Sequence, residues 1–342
     1  MILILDKPGG YIGKKSRQLK IKKDDRWTTV PVKNISMIIL LSNTTITYEA
    51  IKLLVQHSIP VIYANRYEPL AIVQPFFNHG SVLVRREQMR SYDDYRGTEL
   101  AKAFSRGALL NKASILRYFA HSRSRSEYLE LPQFLKETAD EIEQYARKID
   151  LIDGFIDDVR ETIIGFEGAG SAMYYETLSL LLPDWCNYRG RTRRPPADPV
   201  NAALSLGYTI IYHTTLIAIS AVGLDPYAGF LHADRSGRAS LVLDLAEEFK
   251  QMIVDRTVIS MFSRNQLNED SFETQQGSYR FTDEAKKKFI SNISERLNSQ
   301  IQTKIFSNPV SVMSLIMHQA RRMARYIMGK NKTYLPFVWN GR

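Results

Sequence analysis

Cysteine is almost absent: Cys186 is the only one in 342 residues. A single thiol closes no intrachain disulfide and builds no thiolate metal cluster, so a reducing compartment and a cytoplasmic protein are expected. Zinc-motif spacing and a GxxxxGK[ST] phosphate loop are lacking, and the sequence supports no Ser-His-Asp arrangement. Acidic residues are in deficit, 36 Asp and Glu against 46 Lys and Arg, for a formal net charge of +10. That excess leaves the fold open but favours polyanionic partners, nucleic acid ahead of an anionic membrane surface. Repeats and low-complexity tracts are missing. Charge is missing locally too: Val200 to Leu224 has no Asp, Glu, Lys or Arg and nearly spans a bilayer in length. It nevertheless holds Asn201, Ser205, Thr209, His213, Thr214 and Thr215, which a lipid-facing helix seldom carries. It reads as a central helix of a soluble domain, with no membrane anchor. The apolar run Met1–Leu5 is too short for a signal peptide, and no basic stretch precedes it.

What is present divides into two periodicities. Met1–Leu5, Leu19–Lys22, Thr28–Val32, Ser36–Leu41, Ile59–Tyr63 and Leu70–Gln74 read as strands, apolar, alternating or β-branched. Pro8-Gly9-Gly10 and Lys23-Asp24-Asp25 supply turns, and Thr47–His57 reads as one short helix. From residue 96 onward the period is helical: 96–119, 131–152, 157–182, 198–222, 240–262, 282–297 and 310–328. The expected fold is α+β and multi-domain, a β-sandwich-like N-terminal domain followed by an all-α-helical catalytic domain. Residues 1–85 are expected as the β-rich domain, 86–97 as a linker, 98–330 as the helical domain and 331–342 as a tail.

Three segments draw attention for chemistry. Glu167 opens Glu167-Gly168-Ala169-Gly170-Ser171-Ala172, a small-residue run that costs a helix about 1 kcal/mol per glycine. Such a run allows close approach, of another helix or of a ligand; Tyr174 lies two turns on, on the same face. Asp198 and Pro199 form a helix start, after which Asn201, Ser205, Tyr208 and Tyr212 make one polar stripe on an apolar rod. Its partners could be other helices or a site holding metal and phosphate. Gly229-Phe230-Leu231-His232 precedes a helix with Leu241, Leu245, Phe249 and Met252 on one side and Asp244, Glu247, Glu248 and Gln251 on the other. An acidic face is ordinarily solvated surface; beside a histidine it also suits a hard divalent cation.

Read together, these segments resemble the universal CRISPR adaptation integrase, the CRISPR-associated nuclease that inserts new spacers. The resemblance rests on Phe166-Glu167-Gly168 with Ala172 and Tyr174-Tyr175, Arg194-Pro195-Pro196-Ala197-Asp198-Pro199-Val200-Asn201-Ala202, and Gly207-Tyr208. It continues through Val222-Gly223-Leu224-Asp225-Pro226, Gly229-Phe230-Leu231-His232 and Asp244-Leu245-Ala246-Glu247-Glu248-Phe249. It covers nearly the whole chain, more by strand pattern at the N-terminus. It implies a homodimer, built through the β-rich domain, two of which flank a dimer of a small non-catalytic partner subunit. It implies prespacer and repeat DNA, double-stranded and branched, as substrates, and Mn²⁺ or Mg²⁺ as cofactor. The family's catalytic metal ligands fall on Glu167, His232 and Glu247, with Asp244 as a further candidate. Tyr174, Asn201 and Tyr208 are expected to shape the site. Arg189, Arg191, Arg193, Arg194, Arg235, Arg238 and Lys250 are the expected phosphate contacts; Arg321, Arg322, Arg325, Lys330 and Lys332 form another basic patch.

The implied reaction is attack of a DNA 3′-hydroxyl on a repeat phosphodiester, with hydrolysis when water takes its place. Two other readings stand beside it: a non-catalytic architectural DNA-binding protein, and a metal-dependent hydrolase of small phosphoesters.

Overall fold

The computed structural model describes residues 2–23, 26–35, 37–57, 59–64, 69–73, 81–123, 130–192, 195–275, 277–303, 306 and 308–341. The chain divides into two compact units, Met1–His79 and Gly80–Arg342.

In the first unit, alternation decides the strands. Leu19 and Ile21 are buried while Lys20 between them is exposed, as a half-buried strand requires. One sheet joins β1 (Ile2–Leu5) to strands introduced below; the other begins with β2 (Gly10–Lys15), β3 (Gln18–Lys23) and β4 (Arg26–Pro31). Then come β5 (Met37–Leu40), β6 (Thr44–Ile46), helix α1 (Tyr48–Gln56), β7 (Val61–Ala64) and β8 (Pro69–Val73). The sheet orders are β1-β5-β7-β8 and β4-β3-β2-β6. Helix α1 starts where Thr47 accepts the Ala50 N–H at 3.2 Å, an N-cap of the usual type. Leu5, Ile12, Ile21, Ile38, Leu54 and Val61 share one core drawn from both sheets and α1, so the sandwich-like arrangement is present. Strand β2, which leads out of the Pro8-Gly9-Gly10 turn, and strand β6, just before α1, lie outside the strands expected from the sequence.

The second unit is helical, and its start corrects the expected boundary. Helix α2 (Ser81–Tyr92) and helix α3 (Tyr95–Ser122) occupy most of the stretch expected as a linker at 86–97. Helix α2 escaped a periodicity reading because Val82, Leu83 and Met89 are exposed. A polar side chain anchors it: buried Gln88 donates to the carbonyls of Asp225 and Ala228 and accepts the Asp225 N–H. Asp94 accepts the Arg96 N–H at 2.8 Å and so starts α3.

Helices α4 (Glu130–Asp150) and α5 (Ile156–Leu178) pack on α3, and Gly170 of α5 allows a close approach to α3. A Cβ there would lie 2.5 Å from Leu109 Cδ2. Helix α6 (Pro199–Ala221) is capped by Asp198, which accepts the Asn201 N–H at 2.7 Å. It is long and apolar enough to cross a membrane, yet 78% of its apolar window is buried inside the protein.

The expected continuous helix 240–262 is broken. Helix α7 (Ser240–Ala246) gives way to a wide π turn over Gln251–Asp255 before α8 (Arg256–Ser263). A π turn inserts one residue into the helical register, and here it holds Asp255, which binds side chains of α5 and α6. Hairpin β9 (Phe272–Gln275) and β10 (Ser278–Phe281) follows, its Phe272 and Phe281 rings 4.7 Å apart and Phe281 stacked on Phe289. Helix α9 (Asp283–Asn298), the short pair β11 (Gln300–Ile301) and β12 (Val310–Ser311), and α10 (Val312–Ile327) complete the elements.

The stretch expected as a tail, 331–342, is also corrected. Tyr334, Phe337 and Trp339 are buried. Asn111 donates to the carbonyls of Glu248 and Phe337 and accepts the Trp339 N–H, while Phe337 stacks on Phe249 at 5.3 Å. No helical or strand period marks this segment, so only its burial reveals it.

Candidate functional site

The centre of the helical unit is built from α3, α5 and the start of the segment after α6. Lys112 occupies a core position of α3, between Leu109 and Leu116, and is 2% exposed. Its ammonium donates to Glu167 Oε1 at 2.6 Å and to Ser171 Oγ at 2.6 Å, and Ser171 donates to the same Glu167 oxygen. A buried lysine persists only with partners of this kind. Burial by itself would raise the Glu167 pKa, but Lys112, Ser171 and Lys250 outweigh it and hold the carboxyl at about 2. Burial likewise pulls Lys112 down, and Glu167 together with Tyr175 and Glu247 carries it above the ordinary lysine value.

Glu247 follows α7 directly and accepts from Lys250 Nζ at 2.5 Å, both side chains about one-tenth exposed. Lys250 is pulled down by burial and pushed further up by Glu247 and Tyr212, so it stays charged. Glu167 is thus in electrostatic contact with Lys250, and Glu247 with Lys112: two carboxylates and two ammonium groups form one cluster.

His232 is held by Asp244, which lies three residues before Glu247. Asp244 Oδ2 accepts the N–H groups of Phe230 and Leu231, and Oδ1 accepts the His232 N–H and lies 2.7 Å from His232 Nδ1. Asp244 lies in α7 one turn before Glu247, so the histidine loop is held against that turn. With the carboxylate as acceptor, Nδ1 carries the proton and Nε2 is left for a ligand or a proton.

The acidic side of this helix was open between solvated surface and site, and it divides. Asp244, Glu248 and Gln251 are fully buried and Glu247 nearly so, so none of it is solvated face. Glu248 accepts from Tyr334 Oη, Gln319 Nε2 and the Phe337 N–H, and burial pushes its carboxyl up to about 7 against those bonds. Asp244 takes four hydrogen bonds from the Phe230–His232 loop, which makes it the group that orients His232.

The expected site-shaping residues are buried, and a residue missed in the sequence explains two of them. Asp255 accepts from Tyr174 at 2.9 Å and Tyr208 at 2.7 Å, and Tyr208 lies 3.0 Å from Tyr175 Oη. Burial raises the Asp255 carboxyl; the tyrosine bonds oppose it. The sequence signal was a lone acid after Met252-Ile253-Val254; Lys112 was signalled likewise, as a charge at a core position. Asn201 is buried and holds the basic loop: it donates to Gly190 O and Asp198 Oδ2 and accepts Arg191 Nη1 and the Thr192 N–H.

The basic residues separate as well. Arg189 and Arg235 are exposed and Arg238 is half-buried. Arg191 is committed to Asn201 and Ser205 and lies over the Tyr208 ring. Lys250, expected as a phosphate contact, is a buried partner of Glu247 instead. Arg193 and Arg194 lie outside the described residues.

Among the described residues no three His, Cys, Asp or Glu side chains stand together at metal-ligand distance. The donor chemistry nonetheless fits a hard divalent cation. Among the described residues, hydrogen bonds fall on one side-chain atom of each group, Glu167 Oε1, Glu247 Oε1 and His232 Nδ1. The other oxygen or nitrogen of each remains for coordination.

Fold and centre define a class: a strand-rich unit followed by a helical unit whose core gathers two glutamates, an oriented histidine and two buried lysines. The family model for CRISPR associated protein Cas1 matches residues 3–295, and the chain belongs to that family. It is 31% identical to CRISPR-associated endonuclease Cas1 1 of Archaeoglobus fulgidus, covering 99% of both chains. It is 30% identical to CRISPR-associated endonuclease Cas1 1 of Thermus thermophilus, over 99% of this chain and 100% of that one. A Cas1 protein from Thermotoga maritima has the same fold, with a TM-score of 0.77 at 23% identity over 98% of this chain and 99% of that one. A casposase bound to integration product also shares it, with a TM-score of 0.83 at 22% identity over 100% and 94%.

Proposed function

We propose that this Cas1 chain is a metal-dependent DNA integrase and endonuclease, joining a DNA 3′-hydroxyl to a phosphodiester of a CRISPR repeat. The observation that carries the reading is the Asp244–His232 pair set one helical turn before Glu247, within a centre where Glu167 is held ionised. Glu167, His232 Nε2 and Glu247 would hold Mn²⁺ or Mg²⁺, which when bound polarises the phosphate and acidifies an attacking hydroxyl or water.

The chain's own residues do the rest. Asp244 fixes the imidazole so that Nε2 needs no reorganisation. Lys112 and Lys250 bring fixed positive charge into a site of low polarity, which favours the extra negative charge of a phosphorane-like centre. Tyr174, Tyr208 and Asp255 tie α5 and α6 to the π turn and keep Glu167 and Glu247 on rigid elements. DNA is held through exposed arginines, Arg189 and Arg235 first, and the net charge of +10 assists.

The names of the relatives support the nuclease part, and the casposase bound to integration product supports strand transfer. A structural neighbour is part of a Cas6-RT-Cas1–Cas2 complex, which supports a partner subunit; that this subunit is small belongs to the proposal. A homodimer belongs to the same reading, and its solution mass tests it. Glu167→Ala, His232→Ala and Glu247→Ala, assayed for strand transfer on branched repeat DNA, test the chemistry: each is expected to abolish transfer while DNA binding persists. Transfer retained in all three would leave an architectural DNA-binding protein.

A further inference from the structure

We propose that a second basic pocket in the helical unit, lined by Arg256, Arg264 and Arg296, seats a backbone phosphate of the bound DNA. The ligand's source rests on the integrase reading; the anion chemistry stands on the pocket itself.

The pocket holds about 350 Å³ between α8 and α9, and none of the residues of the Glu167 centre lines it. Arg256 lies at the start of α8 and Arg296 near the end of α9. Arg256 is pre-arranged: its guanidinium lies 4.3 Å from the Tyr118 ring centre and 4.6 Å from that of Trp339, and it donates to Tyr118 Oη at 3.1 Å. A guanidinium stacked on aromatic rings presents its remaining N–H groups in one plane, the geometry that meets two oxygens of a phosphate.

The donors lack acceptors. Arg256 Nε and Arg296 Nε are both buried with no hydrogen-bond partner among the described residues. An unmet buried donor costs about 1–3 kcal/mol, and both belong to arginines that line this cavity. Arg296 is pulled below the ordinary arginine value by burial first and then by Arg256 and Arg264. Three cations therefore repel one another across a small volume, and a phosphate relieves that repulsion. Glu295 is the carboxylate in the lining, but among the described residues it makes no ion pair with these arginines. Asn292 and Ser260 add neutral hydrogen-bonding groups, suited to phosphate and sugar oxygens.

The test uses the full chain and a duplex with a 3′ overhang, binding measured by fluorescence anisotropy in chelator between about 50 and 200 mM salt. Arg264→Ala and Arg296→Ala are each expected to weaken binding several-fold and to lower the slope of log affinity against log salt by about 1. Arg264 is exposed, so its variant keeps the fold even where Arg296→Ala does not. Unchanged affinity and slope in Arg264→Ala overturn the proposal while wild-type DNA binding stands. A wild-type chain without DNA affinity overturns both this and the integrase reading. Thermal unfolding with inorganic phosphate separates the sources. Stabilisation of the wild type but not of Arg264→Ala, with DNA binding equal in both, assigns the pocket to a free phosphate and overturns the DNA assignment.

Discussion

Asp244 accepts three consecutive backbone N–H groups and pairs with the His232 ring, all within one loop and one helical turn. Asp244→Asn keeps the volume but offers one acceptor oxygen in place of two. The amide then faces either the backbone donors or Nδ1, and the tautomer that leaves Nε2 unprotonated is no longer enforced. Strand transfer is expected to fall about 10- to 100-fold, with DNA affinity unchanged; wild-type turnover in this variant would remove Asp244 from the site's design. His213 gives a second expectation at this scale. It is 1% exposed in α6, both ring nitrogens lack a partner among the described residues, and burial lowers its pKa to about 4 from 6.5. Above pH 6.5 the ring is neutral folded and unfolded, and its stability term is fully present. As pH falls through 6.5 towards 4 the unfolded chain takes up the proton first, and roughly 3 kcal/mol is lost. His213→Phe should flatten the unfolding free energy across that window; an unchanged slope would show that another group titrates there.

At the scale of elements, helix contacts are decided by small residues and by one irregular turn. A Cβ on Gly207 of α6 would collide with Val254 in the π turn, whereas one on Gly168 of α5 meets nothing within 4 Å. Substitution by alanine should therefore have opposite signs at the two glycines. Gly207→Ala is expected to destabilise by about 1–3 kcal/mol through overpacking. Gly168→Ala is expected to stabilise by up to about 1 kcal/mol through helix propensity. Urea unfolding of both variants checks this, and stabilisation at Gly207 would mean that α6 does not depend on this close approach. The π turn itself follows the same logic: Asp255 must meet Tyr174 and Tyr208, and a regular helix from Ser240 to Phe262 would turn it elsewhere.

At the scale of the whole molecule, the helical unit holds the candidate site and the strand-rich unit has its own core. Under the proposed function, the surplus of positive charge serves binding, and the cluster of Glu167, Glu247, Lys112 and Lys250 serves the reaction. Removing divalent metal should separate the two: chelator is expected to stop strand transfer and cleavage while DNA binding continues, weakening steeply with salt. Transfer that survives chelation, measured on the same branched DNA, would take the metal out of the mechanism.

Local signals carried much of this into the sequence. Thr47 and Asp198 announce α1 and α6 because a cap is a contact within three residues, and alternation at Leu19 to Ile21 announces a strand. The order of motifs around Glu167, His232 and Glu247 pointed to those three side chains as the candidate site. What the tertiary structure alone decided lies between segments far apart. Lys112 and Glu167 are 55 residues apart, Tyr174 and Asp255 81, and Glu248 and the Phe337 N–H 89. Periodicity reports which face of an element is apolar, and says nothing of which charge will stand opposite another once helices pack. Lys112 as partner of Glu167, Asp244 as orienting group, the docked segment from Tyr334 to Trp339 and the three-arginine pocket all depend on that packing, where burial makes an unpaired charge too costly to leave alone.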